Sequence, residues 1–174
     1  MMMFSEQFME QDSDIIDYNG KKIHKYFRFD KKGTYILKFS FVSVNSKHSQ
    51  AIHFHLSTFK GDILINGEKV KIKKSAFPQL VLEEKHSPKK FDMLVILEEG
   101  FLTICNSSDL LDDGTIWRSL YGGCAMIIEG IGKNHYKFHC NDHENDDDFD
   151  DLVFELKIEN LDKNQEQSED GTLR

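Results

Sequence analysis

Apolar and polar residues alternate along most of the chain, in short runs that are separated by polar linkers. This two-residue period is typical of strands that bury one face of a sheet. The segments that carry it are 25–29, 34–44, 51–59, 62–72, 79–84, 92–99, 101–105, 124–131, 136–140 and 152–158. Asn66-Gly67 divides the fourth segment and favours a two-residue hairpin turn, because both positions accept positive φ. We predict an all-β fold, an antiparallel β-sandwich or jelly roll of about eight to ten strands.

Helical patterns are scarce in this chain. Phe4 and Phe8 are spaced i, i+4, which predicts a short helix near the N-terminus. The segment 107–121 has room for a helical turn or two, but Gly114 weakens a longer helix. We divide the chain into an N-terminal extension (1–20), a β-sandwich domain (21–161) and a flexible acidic and polar tail (162–174).

Composition and charge limit the classes of partner that we expect for this chain. A chain of 174 residues forms one domain with a sizeable core. Its formal net charge is −8, and one acidic run supplies nearly all of it, so the rest of the chain is close to neutral. Without a basic face we expect no nucleic acid partner. Without a run of about 18 apolar residues we expect no membrane span.

The compartment is predicted from the N-terminus and the cysteines. The first residues, MMMFSEQFMEQDSD, lack the charged and apolar regions of a secretory leader. The three cysteines are widely spaced and form no C-x-x-C, which is typical of reduced, buried thiols. We predict a cytoplasmic protein, or an extracellular one if a leader has been removed.

The main candidate chemistry is the segment 141–154, NDHENDDDFDDLVF. Neighbouring carboxylates about 5 Å apart repel by roughly 3 kcal/mol at an effective dielectric near 20. Either solvent or a divalent cation must offset this repulsion, and both readings stay open. Calcium takes six to eight oxygen ligands from carboxylates, amides and carbonyls. We therefore name calcium as the candidate cofactor. The predicted ligands are first Asp146, Asp148 and Asp151, and then Asp142, Asp147, Asp150 and Asn141.

An EF-hand does not explain this segment. A twelve-residue loop that starts at Asp142 would place Asp147 where the sharp turn needs Gly. It would also place Val153 where a bidentate Glu is needed. The flanking segments have the period of strands and not of helices.

The end of the acidic run carries a resemblance. Residues 148–154, DFDDLVF, resemble the D-[FY]-N-D-[LV]-V-[FV] signature that closes some bacterial β-sandwich domains. These include the LruC type and related calcium-binding-like modules. Asp146 and Asp148 match the paired acids before the aromatic residue, Asp151 matches the acid that opens the last strand, and Asp150 stands where the signature has Asn. The resemblance implies a β-sandwich with a cation site before its last strand, and similar sandwiches suggest a carbohydrate ligand.

Other chemistry-bearing residues have weaker patterns. His53 and His55 share one strand face, which we expect to face solvent, with Ile52, Phe54 and Leu56 on the core side. Cys140 and His143 could share a zinc ion with a partner elsewhere such as Cys124, but we expect packing and loop hydrogen bonding for them. Trp117 and Tyr121 are candidate ligand-binding aromatics, because such rings stack on sugars.

These patterns favour a non-enzymatic, calcium-binding recognition module for a carbohydrate or protein ligand. The chain has no G-x-S-x-G motif and no phosphate-cradling glycine loop. The first alternative is a cytosolic protein whose acidic loop binds a basic partner without metal. A metal-dependent enzyme is the second alternative.

Overall fold

The computed structural model describes residues 2–144 and 146–163. These residues contain the α-helix α1 (Phe4–Glu10), a 3₁₀ turn at Glu84–His86, fourteen strands and helical residues at 161–163. The strands are β1 (Ile15–Tyr18), β2 (Lys21–His24), β3 (Phe27–Phe29), β4 (Gly33–Val44), β5 (Gln50–His55), β6 (Lys60–Ile65), β7 (Glu68–Lys69), β8 (Gln79–Glu83), β9 (Lys90–Glu99), β10 (Leu102–Asp109), β11 (Trp117–Ser119), β12 (Ala125–Gly132), β13 (His135–Asn141) and β14 (Leu152–Asn160). The predicted all-β class is confirmed, and several strands of two to four residues add to the longer predicted runs.

The strands form two antiparallel sheets. The larger sheet has the order β1-β2-β12-β13-β14-β4-β9-β6-β7. The smaller sheet has the order β11-β10-β5-β8, and β3 also pairs with β10. No helix in the described part of the chain has the length and apolar character to cross a membrane.

The core lies between the two sheets. In β4, burial alternates along the strand, with Leu37 and Phe39 almost fully buried. The ring of Phe39 meets that of Phe54 from the opposite sheet at 5.6 Å, edge to face. Within the larger sheet, Phe138 of β13 and Phe154 of β14 are cross-strand partners whose rings stack at 4.5 Å. Each such buried side chain contributes about 1.5–3 kcal/mol relative to exposure.

Two local predictions are confirmed. Asn66 and Gly67 have φ of 51° and 83°, and they connect β6 to β7 as the sequence predicts. The helix α1 forms around Phe4 and Phe8, and both rings are buried. They pack in a second apolar cluster with Ile16, so the predicted N-terminal extension contributes both a helix and the edge strand β1.

The helical turns predicted within 107–121 are wrong. Ser107 and Ser108 continue β10, where they pair with Ala51 and Gln50 of β5, and Trp117–Ser119 forms β11. The ladder to β5 satisfies their backbone groups, so polar side chains do not end the strand. Most of the predicted tail, 164–174, lies outside the described residues.

The inner face of the smaller sheet becomes polar toward one end. Along β10 the residues on this face run from Ile104 to Asn106 and Ser108. Along β5 they run from Phe54 and Ile52 to Gln50. Asn106 donates to the carbonyl of Asn141 across the sandwich (2.7 Å), which shows that this face meets the end of β13. The acidic segment that follows β13 therefore meets a polar end of the sandwich.

Candidate metal centre

The acidic loop, residues 142–151, connects β13 to β14, and the structure describes all of its residues except Asn145. Cys140 and Leu152 are paired across the two strands, so the loop begins and ends at the same place in the sheet. The backbone N–H of Asp142 donates to Oδ2 of Asp151 at 2.7 Å. This hydrogen bond joins the two ends of the loop and places the Asp151 carboxylate at its base.

The N-terminal elements hold the middle of the loop. Phe149 is only 6% exposed and packs against Phe4 of α1, with ring centroids 5.5 Å apart. The Tyr18 hydroxyl donates to the carboxylate of Asp147. Asp147 and Phe149 both have φ in the left-handed region, at 59° and 54°. This backbone conformation costs free energy for a residue other than Gly, and the contacts of Phe149 and Tyr18 offset that cost.

Hydrogen bonds to the Asp142 carboxylate fix the start of the acidic loop. Its Oδ2 accepts from the Ser46 hydroxyl (2.7 Å) and from the Gln50 amide (3.4 Å). Its Oδ1 accepts from the backbone N–H of Glu144 at 2.8 Å. The carboxylate is buried, and its oxygens already have protein donors. Asp142, one of the predicted supporting ligands, therefore holds the start of the loop in place through these hydrogen bonds.

The three carboxylates predicted as first ligands lie together. Asp146, Asp148 and Asp151 each offer one oxygen, and these oxygens are within 4.8 Å of one another. Oxygens on opposite sides of one calcium ion are about 5 Å apart, because each bond is 2.3–2.6 Å long. Asp146 and Asp148 are exposed, whereas Asp151 is 3% exposed. The cluster thus opens to solvent on one side and has a buried carboxylate on the other.

The electrostatics of this cluster disfavour three negative charges. Burial and, to a smaller extent, the carboxylates of its acidic neighbours raise the pKa of Asp151 to about 7, although the hydrogen bond from the Asp142 N–H acts in the opposite direction. Burial also raises the pKa values of Asp146 and Asp148, with a contribution from neighbouring carboxylates. A divalent cation at this position would reverse these shifts, because an opposite charge favours the ionised form.

Three further side-chain oxygens, one at the end of β13 and two in the loop, are buried without a hydrogen-bond donor among the described residues. They are Oδ1 of Asn141, Oδ1 of Asp147 and Oδ1 of Asp150. The other Asp150 oxygen accepts from the side chain of Asn45 at 3.0 Å. Buried acceptors without donors cost about 1–3 kcal/mol each. All three belong to predicted ligands, and a cation or ordered water would satisfy such atoms.

The predicted aromatic residues lie in β11 and in the segment between β11 and β12, which contacts the acidic loop. Trp117 is half-buried in β11, and Tyr121 is 53% exposed, with the Arg118 guanidinium 5.9 Å from its ring. The next residues are glycines, and the Gly123 N–H donates to the carbonyl of His143 (3.1 Å). A Cβ at Gly123 would stand 1.8 Å from the carbonyl oxygen of Glu144, so only glycine permits this approach.

The expectation that His53 faces solvent is wrong. His53 is 2% exposed, and its Nε2 lies 2.9 Å from Oε1 of Gln79 in β8. Its ring stacks on that of His55, which contacts the Ser119 hydroxyl of β11 at 3.0 Å. Burial lowers the pKa of His53 to about 4, and nearby His55 lowers it too. The core positions predicted opposite this pair, Ile52, Phe54 and Leu56, are buried as expected.

Sequence reasoning missed a second cluster, formed by His48, His143 and Glu144. One ligand atom from each lies within 4.8 Å of the others. Nε2 of His48 is 3.0 Å from Oε1 of Glu144, although 96 residues separate them. Hydrogen bonds from His48 and Lys47 hold the pKa of Glu144 at about 2. Burial lowers the pKa of His48, but the hydrogen bonds to Glu144 and Asp112 outweigh it, and the net shift is upward.

Comparisons of this chain with protein-family models, with curated proteins and with solved structures found no match.

Proposed function

We propose that this protein is a non-enzymatic recognition module whose acidic loop binds calcium. One observation carries the proposal: the carboxylate oxygens of Asp146, Asp148 and Asp151 converge within 4.8 Å at the base of a fixed loop. Other predicted ligands also have buried oxygens without donors among the described residues. The likeness of residues 148–154 to the closing signature of calcium-binding-like sandwiches supports the same reading.

The donor set favours calcium over other dications. Every atom offered by Asp146, Asp148 and Asp151 is an oxygen, which suits calcium and magnesium better than zinc or copper. Magnesium needs near-ideal octahedral geometry at 2.0–2.1 Å and gives up its waters reluctantly. Calcium accepts irregular geometry and more ligands, so it can use exposed carboxylates, buried loop oxygens and water together.

The proposed ion has a structural role. The loop joins β13 to β14 and contacts α1 through Phe149. A cation that binds the folded loop, and not the unfolded chain, stabilises the native state by mass action. The ion would fix the loop relative to the sheet and to the neighbouring segment around Gly123.

A carbohydrate or protein ligand is proposed for the surface that carries Trp117 and Tyr121. Tyr121 is exposed, and Arg118 beside it supplies hydrogen-bond donors next to an aromatic face. Aromatic rings bordered by polar groups suit sugar rings and also protein hot spots. Gly122 and Gly123 connect this surface to the acidic loop, so an ordered loop would support it.

Thermal melts test the calcium proposal. Wild type and Asp148→Asn are melted in chelator, in millimolar calcium and in millimolar magnesium. Asp92→Asn on the exposed face of β9 is the matched control, because it makes the same charge change on a strand that β4 separates from β14. The proposal expects calcium to raise the melting temperature of wild type and of the control, and to leave Asp148→Asn unchanged.

Equal melting of wild type in all three solutions would contradict the calcium proposal. The acidic loop would then fit the alternative of a metal-free surface for a basic partner. That alternative predicts an association rate that falls steeply with salt, because exposed charges are screened.

A further inference from the structure

The cluster of His48, His143 and Glu144 has a different ligand chemistry from the acidic triad. It combines two imidazoles with one carboxylate, and the rings of the two histidines lie 4.5 Å apart. The separation between Nε2 of His48 and Oε1 of Glu144 is 3.0 Å. Two atoms bound to one tetrahedral zinc ion are about 3.3 Å apart, since each bond is 2.0–2.1 Å long. These two atoms therefore need little movement to share an ion.

Each histidine of the cluster also has a partner that fixes its ring. Nδ1 of His48 lies 2.9 Å from Oδ2 of Asp112, in the loop between β10 and β11. Nδ1 of His143 lies 2.6 Å from the hydroxyl of Ser108 at the end of β10. Metal-binding histidines typically engage a carboxylate or another acceptor through the nitrogen that does not bind the ion. Both Nδ1 atoms are engaged in this way, which leaves both Nε2 atoms for a metal.

We propose that His48, His143 and Glu144 form a binding site for a transition-metal dication of the zinc type, separate from the proposed calcium site. The ligands come from the loop after β4 and from the start of the acidic loop. Asp112 and Ser108 hold the two imidazoles in orientation. Water would complete the coordination, because three protein ligands leave one tetrahedral position open.

Lys47 is the competitor at this site. Its ammonium lies 2.8 Å from the same Glu144 oxygen that contacts His48. The lysine side chain is 70% exposed, so it can leave the carboxylate for solvent at small cost. A metal ion that takes the Glu144 oxygen must displace this ammonium. Removal of Lys47 is therefore expected to tighten metal binding.

The two proposed sites select their ions by different atoms. Imidazole nitrogen suits zinc, copper and nickel, whereas calcium takes oxygen ligands. The acidic triad and this cluster share no residue. Asp142 lies between them, with hydrogen bonds from the Glu144 N–H to its carboxylate and from its own N–H to Asp151. Zinc binding can thus be measured with calcium present, and it does not depend on the calcium proposal.

The test is a calorimetric titration of the full chain with zinc in millimolar calcium, followed by the same titration of variants. Wild type is expected to bind one zinc ion per chain. His143→Ala should lose binding, and Glu144→Gln should weaken it strongly while keeping the shape of the side chain. Asp112→Asn should weaken binding by about tenfold or more, as loss of a group that orients a ligand does. Lys47→Met should bind more tightly than wild type.

The matched control is His139→Ala. His139 lies on β13 and pairs with Glu129 at 3.3 Å, away from the cluster, so its loss should leave zinc affinity unchanged. Melting in chelator establishes that each variant is folded. Asp148→Asn should keep zinc binding, so a failed calcium site and a failed zinc site give different results. Absence of zinc binding by wild type would overturn the proposal, as would wild-type affinity in His143→Ala, Glu144→Gln or Lys47→Met.

Discussion

Replacement of Asp151 by Asn should stabilise the protein in chelator and abolish the further stabilisation that calcium gives to wild type. Asp151 is buried and its pKa is raised to about 7, so the folded, metal-free protein holds its ionised form at a cost. Three pKa units at 1.36 kcal/mol each give a penalty of about 4 kcal/mol at about pH 8. The Asn oxygen can still accept from the Asp142 N–H, which Asp151 now does at 2.7 Å. Asp151→Asn should therefore stabilise the protein in chelator.

The pH dependence of this effect follows from the direction of the shift. Because the pKa of Asp151 is raised, the folded state keeps a proton on this carboxylate between about pH 4 and pH 7, where the unfolded state has already lost it. The penalty is absent below about pH 4 and complete above about pH 7. At about pH 5 the advantage of the variant should shrink to about 1.5 kcal/mol.

Melting in chelator and in calcium measures both effects. For a chain of this size, 1 kcal/mol shifts the melting temperature by about 2–4 °C, so the variant should melt at least about 8 °C higher in chelator near pH 8. Calcium at a hundred times its dissociation constant should add about 2.7 kcal/mol to wild type and nothing to the variant. A variant that is less stable than wild type in chelator, by the same amount at about pH 5 and pH 8, would refute this reasoning.

Three further substitutions probe the surroundings of the sites. Gly123→Ala places a Cβ 1.8 Å from the Glu144 carbonyl oxygen and should lower the free energy of unfolding by about 1–3 kcal/mol in urea titrations; an unchanged midpoint would show that the loop moves freely. Phe149→Ala removes the ring that packs on Phe4, so it should cost about 3–5 kcal/mol and weaken calcium binding in calorimetry; wild-type calcium affinity would mean that the anchor does not shape the site. Burial lowers the pKa of His53 to about 4, so the residue stays neutral in the folded protein, whereas in the unfolded chain it gains a proton below about pH 6.5. The free energy of unfolding of wild type should therefore fall by about 3 kcal/mol relative to that of His53→Gln as the pH falls from about 6.5 to about 4. Parallel urea unfolding curves for the two proteins across that range would contradict this assignment.

Features set by neighbouring residues were predictable from the sequence. The Asn66-Gly67 turn depends on two adjacent residues that accept positive φ, and the alternation in β4 directly marks its buried face. The convergence of Asp146, Asp148 and Asp151 is also local, since all three lie in one short loop. Short range explains why the predicted turn and the buried face of β4 match the structure, and why the three carboxylates lie close together.

Features set by long-range packing were not predictable. Ser107 and Ser108 look like a turn in the sequence, but pairing with β5 keeps them in a buried strand. His53 looks like a solvent-facing residue of an alternating strand, but in the folded protein it is buried and contacts Gln79 of β8. Nothing in the sequence near His48 indicates that Glu144 will lie 3.0 Å away, because only the packing of the loop after β4 against the acidic loop brings them together.

Calcium titration by calorimetry tests the central claim most directly, with wild type and Asp148→Asn measured side by side after chelator treatment. The account predicts one calcium ion per wild-type chain, bound in preference to magnesium, and a large loss of affinity in the variant. A wild-type protein that binds no calcium, or a variant that binds it equally well, would contradict the account.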